Sequence, residues 1–421
     1  MKLKYGVISS DSHGQIHKDA FTSRMSKAKF GDRIPQLVET SDPANMSDPQ
    51  DRVVERWQIN GKFIEKRGVS NCAAYMNDPM RATFPQRWEE VPKAIYDPIE
   101  RLKVLATDGV DGEVLYPNPP IQNATFFQGD AEFELACVQA YNNAMYEDWY
   151  KVSSNFIPLA LLPFLGGLDG TIAELNRVAK MGYKGVIIVA EPAEVVGKAR
   201  GSSASMGWGI DVENLDYELA PFASPHWWPF WEACQNLDMP VHWHANAGLS
   251  SFGTPPWKGF ARPEAWVAAA PPAWSAMAQF LPNLVFSGVL ERFPKLKWVL
   301  TESGVGWFNY TVESLDHEWE RRSLWKHGIK TRPSDLLKAQ LHLSGWFEAE
   351  GLRSLQIDPS RLMWQSDFPH NPSTFPRSAK VINHMFRDSP KDVKDQVLWK
   401  NVCELYKEEA VFEVEDETVS A

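Results

Sequence analysis

The sequence predicts an α/β protein folded as a (β/α)8 TIM barrel, with a long insertion after strand one and extended βα loops. Three observations predict it. Eight short β-branched or apolar runs recur along the 421 residues. Helical stretches separate most of them. Acidic or imidazole side chains stand where several of the runs stop. Residues 1–421 therefore read as one domain.

The first run is "KYGVISSDSH" at 4–13. Residues 14–98 then interrupt the rhythm and read as an inserted lid and hairpin region. Within them, "VVERWQINGKFIEKR" alternates around Asn60-Gly61, a strong short hairpin signal. "DGEVLYP" at 111–117 is the second run. It leads to "DAEFELACVQAYNNAMYEDWYKV", a helix with an Asp130 cap and Phe133, Val138, Tyr141 and Met145 at helical spacing. "NFIPLALLPF" at 155–164 is the third, followed by "DGTIAELNRVAKMG", which ends on Gly182 as helices often do. The fourth is "YKGVIIVAEP" at 183–192. After a long stretch from 193 to about 221, "HWWPFWEACQNLDMP" reads as a helix before the fifth run, "MPVHWHANAG" at 239–248. The proline-rich "SSFGTPPWKGFARPEAWVAAAPPAW" is again long for a βα loop, so both long stretches are expected as pocket walls. "KLKWVLTESG" at 295–304, a helix from Trp307 through Trp319, "AQLHLSGWF" at 339–347 and "RLMWQSDFPH" at 361–370 complete the pattern. The tail "EEAVFEVEDETVSA", 408–421, reads as acidic and loosely held.

Composition narrows the function classes. The chain is 44% hydrophobic and 23% charged, as an ordinary globular protein is. Its 43 basic and 54 acidic side chains give a net charge of −11, with no basic block, which argues against a nucleic-acid partner. The apolar run near the start is too short for a signal-peptide core, and nothing approaches a membrane span. Cys72, Cys137, Cys234 and Cys403 lie far apart, which suits a reducing cytoplasm rather than a disulfide framework. The 18 tryptophans fit either a large aromatic core or an apolar substrate pocket.

Polar residues sit where the runs end: Asp11 and His13, Glu191, His242 and His244, Glu302, then Asp367 with His370. Singly, such a histidine is more often a hydrogen-bonded structural residue, and such a glutamate a loop ion-pair partner or cap. The set argues otherwise. In a barrel these side chains converge at one end, where crowded carboxylates repel unless a cation joins them. Carboxylate oxygens and imidazole nitrogens are natural ligands of a divalent metal. His242 and His244, two apart on a strand, face the same way, so the residues alone leave open whether both are ligands.

In their order, the motifs "DSH", "DGVDGEVLYP", "ACVQAYNNAMYEDW", "ALLPF", "GVLERFPKLKWVLTESGVGW" and "WQSDFPH" make a sequence that resembles the amidohydrolase-related family. This branch of the amidohydrolase superfamily includes aminocarboxymuconate-semialdehyde decarboxylase and γ-resorcylate decarboxylase. The resemblance covers most of the chain. It implies a divalent metal held by Asp11 and His13, by His244 and by Asp367, with Asp367 as ligand or general base. His242 is then the ligand's neighbour in a pocket wall. In two places the chain departs from the family: Glu302 stands where the decarboxylases place a histidine, and Glu191 ends strand four. Since binuclear relatives use a bridging group at strand four, Glu191 and Glu302 join the ligand candidates and a second metal is conceivable.

The expected enzyme is a metal-dependent carboxy-lyase or hydrolase using zinc, manganese or iron. It would act on a small aromatic or carboxylate-bearing compound by non-oxidative decarboxylation or hydrolysis. Asp367 is the candidate acid or base, and His370 and His242 are candidate shuttle groups. A different class remains open: four carboxylates and two histidines also match a non-heme di-iron oxygenase. The resemblance further implies a homodimer or higher homo-oligomer, with "HWWPFW" as one conceivable contact surface.

Overall fold

The computed structural model describes residues 1–41, 53–63, 68–72, 85–118, 120, 130–188, 192, 199–200, 216–217, 220–244, 271, 274–275 and 277–413. It is an α/β fold whose sheets alternate with helices along the chain. The strands that matter for the site are β1 Ile8–Gly14, β2 Gly112–Pro117, β3 Phe156–Pro158, β4 Val186–Ile188, β5 Val241–Trp243, β6 Trp298–Leu300, β7 Leu341–Gly345 and β8 Leu362–Trp364. β1, β2 and β3 form one parallel sheet, while β8, β7, β6, β5 and β4 form another in that order. Seven of the eight fall within one of the eight runs, and β1 extends one residue past its run, to Gly14.

Two hydrogen-bonded seams join these sheets. On one side Ala160 bridges Val186 in parallel, with Ile187 N donating to Ala160 O at 3.0 Å. On the other, Asp367 N donates to Asp11 O at 2.9 Å and His13 N to Phe368 O at 2.8 Å. The arrangement is consistent with the expected barrel. The second seam also joins the first and last site motifs directly, so their relative placement is set by backbone bonds.

The helices form where local chemistry starts and stops them. α1, Pro98–Asp108, begins with proline at its first position, and the Asp97 side chain accepts from Ile99 N and Glu100 N. It ends at Gly109, whose φ of 74° is the left-handed cap that glycine adopts without strain. α2, Ala131–Met145, starts at the expected Asp130 cap, and α3, Gly167–Met181, stops at the expected Gly182. Further helices lie at Trp228–Asn236 and Phe308–Arg321, within or close to the predicted spans.

Among the described residues the aromatic excess is largely core. Trp57, Trp149, Trp227, Trp231, Trp243, Trp298, Trp346 and Trp364 are each less than 2% exposed. In "HWWPFW", Trp227, Phe230 and Trp231 are buried within the chain, so packing explains that segment and a contact surface is not needed. All four cysteines are free and buried. No helix among the described residues is long and apolar enough to cross a membrane.

Within 14–98 the hairpin is present: Val53–Ile59 pairs antiparallel with Lys62–Phe63 around Asn60 (φ 51°) and Gly61 (φ 75°). Gln36–Ser41 adds a third strand. The tail departs from expectation at its start. Val411 and Phe412 pair in parallel with Lys2 and Leu3, and Val411 N donates to Met1 O at 2.9 Å, because the exposed edge at Lys2–Leu3 offers backbone partners. Most of 193–221 and 250–274, expected as pocket walls, lies outside the described residues.

Candidate metal centre

The site grows from the C-terminal ends of β1, β5, β6 and β8. In β1 the register with β2 shifts between Ser9 and Ser12. That irregularity lets the chain turn Asp11 and His13 toward β8. Serines hold the junction beneath: Ser366 N donates to Ser9 Oγ at 2.8 Å, and the Ser12 and Ser366 hydroxyls are 3.0 Å apart. Two site residues take left-handed backbone, Glu302 at φ 50° and Asp367 at φ 57°. Neither is glycine, so each conformation costs about 1–3 kcal/mol and must be imposed by its surroundings. For Asp367 the bond from its N to Asp11 O does so, and for Glu302 a bond from its N to Gln365 Oε1 at 3.0 Å.

Six of the eight predicted residues come together. His13 Nε2 lies 3.3 Å from Asp367 Oδ1 and 3.8 Å from Asp11 Oδ1. His244 Nε2 lies 2.7 Å from Glu302 Oε2, 3.8 Å from Asp11 Oδ1 and 3.2 Å from His13 Nε2. His370 stacks on His13 with ring centroids 3.6 Å apart and sets Nδ1 3.3 Å from Asp367 Oδ1. Glu191 lies outside the described residues. His242 is apart from the cluster: its Nδ1 meets Val186 O at 2.9 Å and its Nε2 meets Tyr406 Oη at 2.8 Å. Val186 O can only accept, so Nδ1 donates and Nε2 accepts from the tyrosine hydroxyl. Both nitrogens are thus committed outside the cluster, so His242 stands beside it.

The electrostatics follow from burial. Asp11 and Asp367 are 0% exposed, and none of their four carboxylate oxygens accepts a hydrogen bond. Burial pushes Asp11 well above the usual carboxylate range; His244 opposes this, and the Asp367 and Glu302 charges add to it. Burial likewise raises Asp367 strongly, with Glu302 reinforcing and His244 opposing. Burial disfavours a charged His244 as well, but Glu302, Asp11 and Asp367 outweigh it and push that imidazole up to about 9. Glu302 is held below its ordinary value because His244 overcomes its burial. Burial, His370 and His244 drive His13 well down, and burial brings His370 to about 4.

These residues suit a divalent cation. An ionised carboxylate buried without partners costs several kcal/mol, and Asp11 and Asp367 each have both oxygens without a hydrogen bond. His13 Nδ1 meets Pro117 O at 2.8 Å and so donates, which leaves the Nε2 lone pair facing Asp11 and Asp367. One possible ligand atom from each of Asp11, His13 and His244 lies within 4.8 Å of the others, and the same holds for His13, Asp367 and His370.

Several contributors were not singled out in the sequence. Gln365 fixes Glu302, and its position two before Asp367 was the available signal. Asn118 Oδ1 meets His370 Nε2 at 3.2 Å, and Asn118 Nδ2 donates to Asn71 O at 3.3 Å. The region after β1 therefore reaches the site through Asn118. Tyr406 and Arg101 left no sequence signal, because one acts on a ring nitrogen and the other on backbone carbonyls.

Residues 97–407 match the amidohydrolase family model, and the chain belongs to that family. It is similar to γ-resorcylate decarboxylases. The one from Rhizobium sp. (strain MTP-10005) is 25% identical over 67% of this chain and 80% of that protein. The one from Polaromonas sp. (strain JS666 / ATCC BAA-500) is 25% identical over 74% of this chain and 89% of that protein. Among solved structures, an amidohydrolase from Mycobacterium avium subsp. paratuberculosis K-10 superposes with a TM-score of 0.66 at 17% identity, covering 95% of this chain and 98% of that one. A dihydroxybenzoic acid decarboxylase from Polaromonas sp. JS666, with bound manganese and the inhibitor 2-nitroresorcinol, gives 0.55 at 19% identity over 76% and 89%. These structural likenesses concern the fold.

Proposed function

We propose that this amidohydrolase-family enzyme releases carbon dioxide, without oxidation, from a small hydroxylated aromatic acid. In this reading the eight strands close a (β/α)8 barrel through the two seams, with 14–98 inserted over one end. Asp11, His13, His244 and Asp367 hold one divalent cation, manganese, zinc or iron, with Glu302 beside them. Glu191 would matter only if a second ion binds. The observation that carries the proposal is the pair of buried carboxylates with orphaned oxygens facing imidazole nitrogens. The decarboxylase relatives support the reaction class.

When bound, the cation would neutralise the substrate carboxylate and an adjacent oxygen and act as a Lewis acid. The protein's own groups handle the proton. His370 Nε2 donates to Asn118 Oδ1, so its Nδ1 can share a proton with Asp367 Oδ1 at 3.3 Å. Asp367 gives that proton to the ring carbon bearing the carboxylate. The bond from ring to carboxylate then breaks, its electron pair restores the aromatic ring, and carbon dioxide leaves. Asp367 remains as carboxylate until a proton returns. Hydrolysis is the alternative at the same residues, but the curated relatives from Rhizobium and Polaromonas are decarboxylases. The di-iron oxygenase draws no support from them either. A cytoplasmic location and a homo-oligomer complete the proposal.

The test is carbon dioxide release from a panel of hydroxybenzoates by purified protein loaded with manganese or zinc. Release should stop on chelation and resume on restoring the ion. Loaded protein that releases none from any member, yet hydrolyses an ester or amide, would overturn the proposal.

A further inference from the structure

Beneath the site lies a charge pair that the mechanism does not use. Arg101 on α1 and Glu113 on β2 are both 0% exposed. The guanidinium binds the carboxylate with two bonds, Nε to Oε2 at 2.8 Å and Nη2 to Oε1 at 3.0 Å. Its other contacts go to backbone. Nη2 also donates to Phe368 O at 3.0 Å and His13 O at 3.3 Å, and Nη1 donates to Ala94 O at 3.4 Å. The guanidinium carbon sits 4.1 Å from the Phe368 ring centre. Two of the residues touched, His13 and Phe368, belong to the seam, where His13 N donates to Phe368 O and Asp367 N to Asp11 O.

We infer that Arg101 is a positioning residue that sets the spacing of the β1 ligand pair and Asp367 by clamping the carbonyls of His13 and Phe368, with Glu113 aiming it. The inference rests on the proposed cation site. Its physical basis is that two carbonyl oxygens pointing at one place repel, and a rigid planar fork of donors holds them together. A lysine ammonium lacks that fork and cannot serve both carbonyls while binding Glu113 at two points. Arg101 touches the ligand segments at the carbonyls of His13 and Phe368 and at the Phe368 ring, none of them a ligand group, so its influence runs through ligand geometry.

The test uses full-length protein, manganese affinity by equilibrium dialysis, and the visible spectrum of the cobalt-loaded form. The double variant Arg101→Met with Glu113→Met removes both charges, so neither is left buried alone. It is expected to bind manganese 10–100-fold more weakly, with an altered cobalt spectrum. Arg101→Lys is expected to fall between it and the parent. A folded double variant with parental affinity and spectrum overturns the inference, even if its melting temperature falls. Should the double variant not fold, Arg101→Lys decides alone: weakened binding supports the inference and parental binding overturns it. A parent that binds neither manganese nor cobalt brings down the cation site itself, a failure read on the unaltered protein.

Discussion

Asp367→Asn is expected to cut carbon dioxide release by on the order of 10²–10⁴-fold while leaving the chain folded. Asparagine has the size of aspartate, and Asp367 N keeps its bond to Asp11 O, so the left-handed turn keeps its anchor. What disappears is the carboxyl whose Oδ1 lies 3.3 Å from both His370 Nδ1 and His13 Nε2. Removing one of several crowded acids also relieves repulsion among Asp11, Glu302 and Asp367 in the metal-free protein. The metal-free variant should therefore melt no lower than the metal-free parent. Turnover with a hydroxybenzoate and paired thermal melts check both halves. Parental turnover would remove Asp367 from the chemistry.

His244→Ala is expected to weaken manganese binding at least about 100-fold, as loss of a ligand in direct contact should exceed the 10–100-fold typical of its supports. His244 is the imidazole nearest Glu302, and its loss leaves that carboxylate without its ion-pair partner. His242→Ala is the matched control, two residues earlier on the same strand face. Its nitrogens reach Val186 O and Tyr406 Oη, so it should lower thermal stability and leave metal affinity near the parent's. Equal losses of affinity in the two variants would show that the division of roles within "HWH" is mistaken.

Much of this was legible because barrel strands are short apolar runs whose polar ends are easily seen. Asp11, His13, His244, Glu302, Asp367 and His370 were all named from that pattern, and the structure draws them together. The pattern could not separate His242 from His244. Side-chain alternation puts both on one face, and the difference lies in depth, where His242 meets a tyrosine 164 residues further on. Arg101 was invisible for another reason: carbonyl acceptors are present at every position, so no residue type marks them. At the start of the tail, acidity gave no sign of the pairing of Val411 and Phe412 with Lys2 and Leu3, which depends on backbone partners far away in sequence.

The central claim is that side chains from β1, β5 and β8 share a cation. Anomalous diffraction from crystals grown with manganese tests it most directly. The account predicts a strong peak within coordination distance of Asp11, His13, His244 and Asp367. Fully loaded crystals with no peak among those four residues, or with the ion bound elsewhere, would contradict it.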